Sequence, residues 1–472
     1  MAEEKAFPVK IGLEVHGYLD TTEKLFCMCR TSADCGLDEL ANDRICPICT
    51  GQPGSKPMAV NEEAVRKVVQ IATIFKSKIN TSGLIWQRKH YNWADNPKGY
   101  QTTISGAHAT TNAVGGKFNG INITEIHLEE DPAQWNPETG RIDYNRSGLP
   151  LVEMVTEPEF SDAEQVVEWL KALVLTLSYV SAVRKNAGIK VDVNVSTYGE
   201  RVEMKNLNSL EKIRKAINYE IARQVEVRKD NPDAKIEDLF KRETLAFDEK
   251  LGKTIKMRSK EDAADYRFIP DPDLPEIVVS KKMIADVKAE MPEMPDVKLD
   301  RLLKKYKVGE KDAKVLTKNL ELVEMFEALA GSGVDVKAGV PWITVELLRV
   351  LNYNKMTLED SEVDVKPEHL AELIKAVSDG KITKLKGKQI MNEFIPKSFS
   401  LKDHKGEISS IDDVAVENLC RQVIDENAKV VGEYKGGKDA SLNFLIGQVM
   451  RLSERRADFK VAGECLKRLI NG

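Results

Sequence analysis

Two closely spaced cysteine pairs near the N-terminus could bind a metal ion. Cys27 and Cys29 form the first pair, and Cys46 and Cys49 form the second. Thiolates in pairs on short turns suit tetrahedral zinc, because each pair supplies one edge of the tetrahedron. Four sulfur ligands leave no open position for a substrate, so the pattern predicts a structural zinc clamp. Reduced, buried cysteines without a metal are the alternative. Cys35, between the pairs, has no assigned role.

Carboxylates inside apolar, strand-like segments are the candidate catalytic residues. Glu14 and His16 lie two residues apart in IGLEVHGYL, so on a strand both point to one face. Glu153 lies within the apolar segment PLVEMVTEP. An ionised carboxylate in such a segment is unfavourable unless it meets a cation. These residues therefore predict either a cation site or a set of buried salt bridges.

The segment ITEIHLEED adds a third carboxylate to this set. Strand parity puts Glu130 on the face of the apolar residues and predicts that its neighbours Glu125, His127 and Glu129 are solvated. Hard oxygen ligands with one imidazole suit Mg²⁺ or Mn²⁺, the ions that accompany nucleotide phosphates. For each glutamate, a salt bridge to a nearby cation such as Arg146 is the alternative.

The segment RKHYNWADNPKGYQ, residues 88–101, interleaves basic and aromatic side chains. This mixture suits an anionic ligand with a planar ring, which charge and stacking would hold. A solvated loop with a few packed aromatic residues is the alternative. The segment is therefore a candidate nucleotide-binding loop.

The composition limits the class of protein. A chain of 472 residues predicts two to four domains, and 42% apolar residues are typical of an ordinary globular protein. The N-terminus has no signal-peptide pattern, and no apolar stretch approaches the roughly 20 residues that a membrane helix needs. We therefore expect a cytoplasmic protein with no membrane partner. A net charge of −5 argues against wholesale wrapping of nucleic acid, although basic residues clustered near the C-terminus leave a local contact open.

The elements that must position these residues change character along the chain. Strand-like and helical segments interleave irregularly up to about residue 290, which favours an α+β fold. EMPEMPD, residues 290–296, reads as a junction because of its two prolines, and helical segments follow it. A further break lies near residues 400–413. The pattern predicts domains at 1–293, 294–400 and 401–472.

Motifs spread over the whole chain resemble those of the GatB family, the B subunits of GatCAB-type tRNA-dependent amidotransferases. The motifs that carry the resemblance are IGLEVHGYLDTTEKLFCMC, CPICTGQPGSKPMAVN, RKHYNWADNPKGYQTT, HLEEDPA, DYNRSGLPLVEMVTEP, VEMKNLNS, DYRFIPDPDLP and LIGQVM. They occur in the order of the family. The resemblance therefore covers the chain rather than a single motif.

The resemblance implies a fold and an activity. The N-terminal part would be a glutamine-synthetase-like cradle that uses ATP and Mg²⁺ to activate the side-chain carboxylate of Asp or Glu misacylated on tRNA. Ammonia, produced from glutamine by a partner amidase (the A subunit), would then form Asn-tRNA or Gln-tRNA, and a small C subunit would complete the heterotrimer. The helical C-terminal part would hold the tRNA with a tail domain.

The resemblance also implies roles for individual residues. Glu14, His16, Glu130 and Glu153 would be catalytic, and His16, Glu130 and Glu153 would bind Mg²⁺. Residues expected to bind ATP or substrate are Lys89, Tyr91, Asp95, Lys98, Gln101, Arg146, Asp192, Asn194 and Lys205. Residues expected to bind tRNA in the tail are Lys435, Lys438 and Arg451. The alternative function is a non-catalytic, zinc-containing tRNA-binding scaffold.

Overall fold

The structure, a computed structural model, divides into two compact units, Met1–Pro292 and Glu293–Gly472. It describes residues 9–31, 40–91, 93–106, 108–184, 188–240, 243–259, 267–404 and 408–471. Cys35 lies outside the described residues. In the described part of the chain, no helix has both the length and the apolar character needed to span a bilayer.

A large, mainly antiparallel sheet dominates the first unit. Its order is β14-β13-β12-β11-β1-β10-β7-β4-β3-β15, with β2, β5 and β6 beside β7, and β8 pairs separately with β9; only β12 and β13 run parallel among the described pairs. The strands are β1 (Lys10–Tyr18), β2 (Lys78–Ile79), β3 (Gln87–His90), β4 (Tyr100–Thr103), β5 (Ala113–Val114), β6 (Lys117–Phe118), β7 (Ile121–Glu130), β8 (Gln134–Trp135), β9 (Ile142–Asp143), β10 (Pro150–Thr156), β11 (Ile189–Ser196), β12 (Val202–Leu207), β13 (Glu243–Asp248), β14 (Lys253–Ser259) and β15 (Arg267–Pro270).

Helices accompany this sheet, and several of them begin at capping residues. They are α1 (Glu62–Ile74), α2 (Ala163–Tyr179), α3 (Leu210–Asp230), α4 (Ile236–Leu239) and α5 (Lys281–Glu290). The side chains of Asn61, Asp162 and Ser209 accept hydrogen bonds from backbone N–H groups in the first turns of α1, α2 and α3. Helix α1 packs on β7, and α3 packs on β11 and β14. The expected mixture of strands and helices is confirmed.

The central strands have one apolar and one polar face. Leu13 and Val15 of β1 lie opposite Val193 and Val191 of β11, and all four side chains are buried. Successive residues of a strand point to opposite faces, so the residues between them share the other face. Glu14 and His16 of β1 are among them. The alternation of the sequence therefore puts Glu14 and His16 together on the polar face.

The second unit is helical, as the sequence predicts. Its helices are α6 (Pro295–Lys304), α7 (Glu310–Leu316), α8 (Leu320–Gly331), α9 (Val336–Pro341), α10 (Leu348–Asn354), α11 (Pro367–Ser378), α12 (Lys384–Asn392), α13 (Asp413–Glu426), α14 (Ala428–Lys435), α15 (Ala440–Leu452) and α16 (Phe459–Asn471). A π-helical turn, Trp342–Leu347, joins α9 to α10. Helices α13, α15 and α16 share an apolar core that includes Val416, Leu445 and Leu466.

Candidate active site

Three side chains on the polar face of the sheet form a group that could hold a cation. His16, Glu129 and Glu153 each offer one ligand atom, and these atoms lie within 4.8 Å of one another. His16 Nε2 lies 3.3 Å from Glu153 Oε2. The Nδ1 atom of His16 is buried and has no hydrogen-bond partner among the described residues. Two carboxylates and an imidazole with unused polar atoms fit Mg²⁺ or Mn²⁺.

The register of three strands builds this group. Glu153 of β10 pairs with His16 of β1 on one side and with His127 of β7 on the other. Glu129 pairs with Leu151, the residue two positions before Glu153, so it lies on the same face. His127 Nε2 lies 2.9 Å from Glu153 Oε2. The carboxylate of Glu153 thus lies between two histidines.

The structure corrects the sequence-based interpretation of β7. His127 and Glu129 are 2% and 4% exposed, so the expectation that they are solvated is wrong. Glu130, predicted to join His16 and Glu153, points to the opposite face. It forms an ion pair with Lys98 and accepts a hydrogen bond from the backbone N–H of Thr102 at 3.0 Å. As strand parity predicts, Glu130 lies on the face of Ile126 and Leu128. Glu153, however, lies on the opposite face, with His127 and Glu129.

The charges of these buried histidines and glutamates strongly affect one another's pKa values. Burial disfavours the imidazolium form, but the surrounding carboxylates, with Glu153 first among them, together outweigh burial and raise the pKa of His16 to about 9 and that of His127 to about 10. Burial also opposes ionisation of Glu153, but the two histidines hold its pKa well below the usual value. Burial, together with the charge of Glu153, raises the pKa of Glu129. Without a cation the histidines therefore carry the compensating charge.

A second carboxylate group lies beside the first on β1, β11 and β12. Ligand atoms of Glu14, Asp192 and Glu203 lie within 4.8 Å of one another. Lys205 Nζ lies 2.7 Å from both Asp192 and Glu203, and these two carboxylates outweigh burial and raise its pKa. Asn194 donates a hydrogen bond to Glu14 at 3.1 Å. Burial and the charge of Glu153 raise the pKa of Glu14, so the two groups interact.

The remaining predicted ATP or substrate residues lie around β3, β4 and the end of β7. Lys98 contacts Glu130, and Gln101 donates a side-chain hydrogen bond to the Glu130 carbonyl at 3.0 Å. The charge of Lys89 on β3 partly opposes the rise in the pKa of Glu129. Because β3 and β4 lie beside β7 in the sheet, this candidate nucleotide-binding loop borders the first carboxylate group.

Arg146 and Asp95, which are also predicted to bind ATP or substrate, contact the segment of chain that precedes β10. Arg146 pairs with Asp131 at 3.0 Å and donates a hydrogen bond to the Ala133 carbonyl at 2.6 Å. The backbone carbonyl of Asp95 accepts a hydrogen bond from the Ala133 N–H, and its buried Oδ1 has no partner among the described residues. Tyr91 is partly buried. The contacts of Arg146 thus support the polypeptide rather than the carboxylates of the polar face.

The four predicted zinc cysteines come together. The sulfur atoms of Cys27, Cys29, Cys46 and Cys49 lie within 4.8 Å of one another. The Sγ atoms of Cys46 and Cys49 are 3.9 Å apart, close to the ~3.8 Å edge of a tetrahedron with zinc–sulfur bonds of about 2.3 Å. A hydrogen bond from the Cys27 thiol, aided by the Lys24 ammonium, lowers the pKa of Cys49 to about 5. The donor set fits a tetrahedral thiophilic ion.

Replacing one of these cysteines is expected to affect stability more than catalysis. Cys46→Ser removes one sulfur from the predicted zinc site, so we expect the chain to retain less zinc after dialysis and its melting temperature to fall by about 2–4 °C for each kcal/mol lost. Turnover per folded molecule should change little, because a four-sulfur site has no position for substrate. Elemental analysis and thermal melting check this. Cys35→Ser is the control and should leave the zinc content unchanged.

The predicted tRNA-binding residues lie on the surface of the second unit. Lys435 ends α14, and Lys438 forms an ion pair with Glu433 at 2.9 Å. Arg451 lies in the last turn of α15 and donates a hydrogen bond to Gln448 at 3.1 Å. All three side chains are exposed and face solvent on this surface.

The structure adds three residues to the polar face that the sequence does not predict there: Glu129, His127 and Glu203. His127 and Glu129 alternate with apolar residues in β7, which looks like a half-solvated strand when the pairing partner is unknown. Glu203 lies in the strand VEMKNL, whose charged residues alternate in the same way. The available signal was the spacing of Glu203 and Lys205, which matches that of Glu14 and His16. Only the strand register shows that these polar residues of different strands share one face of the sheet.

Models of two known families match most of the chain. The model described as "GatB/GatE catalytic domain" matches residues 9–285, and the model described as "GatB domain" matches residues 324–470. A Methanocaldococcus jannaschii protein, named as the B subunit of an aspartyl/glutamyl-tRNA(Asn/Gln) amidotransferase, is 41% identical over 97% of both chains. A protein of the same name from Methanobrevibacter smithii is 40% identical over 97% of this chain and 98% of its own. The chain therefore belongs to the GatB/GatE family of amidotransferase subunits.

Proposed function

We propose that this amidotransferase subunit uses ATP to activate the side-chain carboxylate of Asp or Glu misacylated on tRNA(Asn) or tRNA(Gln). Ammonia then displaces phosphate from the acyl phosphate and forms the amide. Glutamine hydrolysed by a partner amidase (the A subunit) supplies the ammonia, and a small C subunit completes the complex. The names of the relatives support the substrate class, and the polar face of the sheet supports the chemistry.

The observation that carries the proposal is the pair of carboxylate groups on one sheet face. Transfer of a phosphoryl group between two anions depends mainly on positioning and on neutralising charge. His16, Glu129 and Glu153 would hold Mg²⁺, which supplies positive charge to the phosphates when bound. Lys205, fixed between Asp192 and Glu203, supplies a second positive charge beside Glu14. Both groups would therefore face the reacting anions.

The same observation weighs against a non-catalytic scaffold. Burying carboxylates is unfavourable when no cation or hydrogen bond compensates them. Burial and the charge of Glu153 raise the pKa values of Glu14 and Glu129, which supports a site where the described side chains do not fully compensate these two carboxylates. A tRNA-binding scaffold has no use for such groups, whereas an active site that binds cations and ATP does.

The test is reconstitution with candidate A and C subunits, followed by assay on each misacylated tRNA. We expect amidation that requires ATP and glutamine, or ATP and ammonium, and that is lost when Glu14 is replaced by Gln. Glu168→Gln, on the exposed surface of α2, is the matched control and should retain full activity. A complex that amidates equally well without ATP, or with Glu14→Gln, would contradict the proposal.

Divalent ion binding is expected to strengthen as the pH rises. The pKa of His16 is about 9 without an ion, so near neutral pH this imidazole must lose a proton before it can act as a ligand. Each bound Mn²⁺ should therefore release at least one proton, and log K should rise by about one for each pH unit between 6 and 8. Calorimetric titration with Mn²⁺ in two buffers measures this. An affinity independent of pH over that range would exclude His16 as a ligand.

Reversing charges in the tail should weaken tRNA binding without changing the chemistry. We expect Lys435→Glu, Lys438→Glu and Arg451→Glu together to raise KM for charged tRNA by at least about tenfold and to leave kcat nearly unchanged, because phosphate contacts supply much of the affinity. The loss should shrink as salt rises. Lys381→Glu, an exposed change between α11 and α12, is the control. Unchanged KM in the triple variant would remove the tail from the tRNA-binding surface.

A further inference from the structure

Lys24 is buried beside the four-cysteine group. It is not one of the predicted zinc ligands, and it is not among the residues proposed to bind substrate. The residue is 1% exposed. Its Nζ donates hydrogen bonds to the Arg44 carbonyl at 2.9 Å, to the Tyr144 carbonyl at 3.2 Å and to Cys49 Sγ at 3.4 Å. Burying a lysine so completely is unfavourable unless its charge is paired.

The geometry indicates that this side chain is an ammonium ion. An ammonium has three N–H donors, whereas a neutral amine has two, and Lys24 contacts three acceptors. Two of these acceptors are uncharged carbonyls. Within the described ranges no carboxylate forms an ion pair with Lys24. Among the contacts of Lys24 with described residues, the sulfur of Cys49 is the one that can supply a negative charge.

The cysteine group needs positive charge for the same reason. Four thiolates around one Zn²⁺ carry a net charge of −2, and Cys27 and Cys49 are both buried. Cys49 Sγ also accepts a hydrogen bond from the backbone N–H of Cys46 at 3.2 Å. Cys49 thus receives both an N–H dipole and the Lys24 ammonium. The buried cation and the buried anion each lower the cost of burying the other.

Lys24 also joins the parts of the chain that the cysteine group brings together. Its backbone N–H donates to the carbonyl of Cys29, in the first cysteine pair, at 3.0 Å. Its side chain reaches Cys49 in the second pair and Tyr144 in the segment that leads into β10. In that segment Ser147 Oγ donates to the Cys49 carbonyl at 2.6 Å. One residue therefore contacts both cysteine pairs and the approach to the strand that carries Glu153.

We propose that Lys24 is the internal counter-cation of the four-cysteine metal site, a positioning residue that stabilises the zinc-bound state through Cys49. The inference rests on the proposed zinc site. Because the coupling is reciprocal, zinc should stabilise the wild-type chain more than it stabilises a chain without this charge. A lysine that only bridged two carbonyls would contribute equally with and without zinc.

The experiment compares zinc affinity by competition with a chromophoric chelator, using the full-length chain and zinc alone. Lys24→Met keeps the apolar stem and removes the charge, and it should raise the zinc Kd by about 10–100-fold, as loss of a metal's outer-shell partner does. Lys24→Gln, which retains an amide donor, should show the same loss. Lys386→Met, a buried lysine of α12 in the second unit, is the matched control and should bind zinc as the wild type does.

Each outcome supports or overturns the role of Lys24 as the counter-cation. A wild-type zinc Kd in Lys24→Met or Lys24→Gln overturns the role of Lys24 and leaves the zinc site intact, whereas a wild-type chain with no tight zinc overturns both. If the neutral variants are poorly soluble, expression in zinc-limited and zinc-supplemented medium replaces the titration. Mass action should then restore the yield with added zinc. A yield that zinc does not improve overturns the proposal.

Discussion

Replacing Glu153 by Gln is expected to reduce ATP-dependent amidation by at least about 100-fold, the scale at which one preorganised electrostatic contact is lost. Glu153 is the carboxylate shared by His16, at 3.3 Å, and His127, at 2.9 Å. Glutamine preserves the size and one acceptor oxygen but removes the charge that would hold a cation. The measurement is tRNA-dependent amidation by the reconstituted complex.

The fold should survive this substitution. Without the Glu153 charge the pKa values of both histidines should fall, because that carboxylate is the first among the groups that raise them, so the rings lose most of the need for a counter-charge at this position. A neutral amide is less costly to bury than a carboxylate, and Glu129 remains beside the rings as a partner for any charge that they keep. We therefore expect a small change in melting temperature. Under a purely structural salt-bridge role, the melting temperature would fall while turnover per folded complex stayed normal, and that result would rule out the metal role.

Glu129→Gln and Glu130→Gln, on adjacent residues, are expected to have opposite consequences. Glu129 lies in the group with His16 and Glu153, so its replacement should weaken Mn²⁺ binding at least tenfold and amidation by about 100-fold. Glu130 pairs with Lys98 on the other face, so its replacement should lower the melting temperature and leave Mn²⁺ affinity unchanged. Manganese titration and thermal melting of both variants check this. Loss of Mn²⁺ binding in Glu130→Gln alone would reverse the assignment.

The four-cysteine group could be predicted from sequence because its ligands are local. Cys27 and Cys29, like Cys46 and Cys49, are fixed by short turns, so spacing alone brings each pair together. The α+β character of the first unit and the helical character of the second also follow from local periodicity. These features depend on the order of residues within a segment rather than on which segments pair.

The carboxylate groups depend on pairing between distant strands. Glu153 meets His127 because β10 and β7 align in one register, and a shift of one residue would have brought Glu130 to the polar face instead. Parity along β7 alone cannot distinguish these outcomes. The sequence therefore predicts Glu130 beside His16 and Glu153, whereas the structure places Glu129 there, and the position of Glu203 depends on strand pairing in the same way.

Activation of the carboxylate by phosphorylation can be followed through the oxygen atoms of that carboxylate. The direct measurement uses misacylated tRNA whose side-chain carboxylate carries ¹⁸O, in a single turnover of the reconstituted complex with ATP and ammonium. An acyl phosphate passes one carboxylate oxygen to phosphate when ammonia displaces it, so we predict one ¹⁸O in the inorganic phosphate for each amide formed. With Glu153→Gln we predict that labelled phosphate falls in proportion to the amide. Amide formation with unlabelled phosphate would contradict the account.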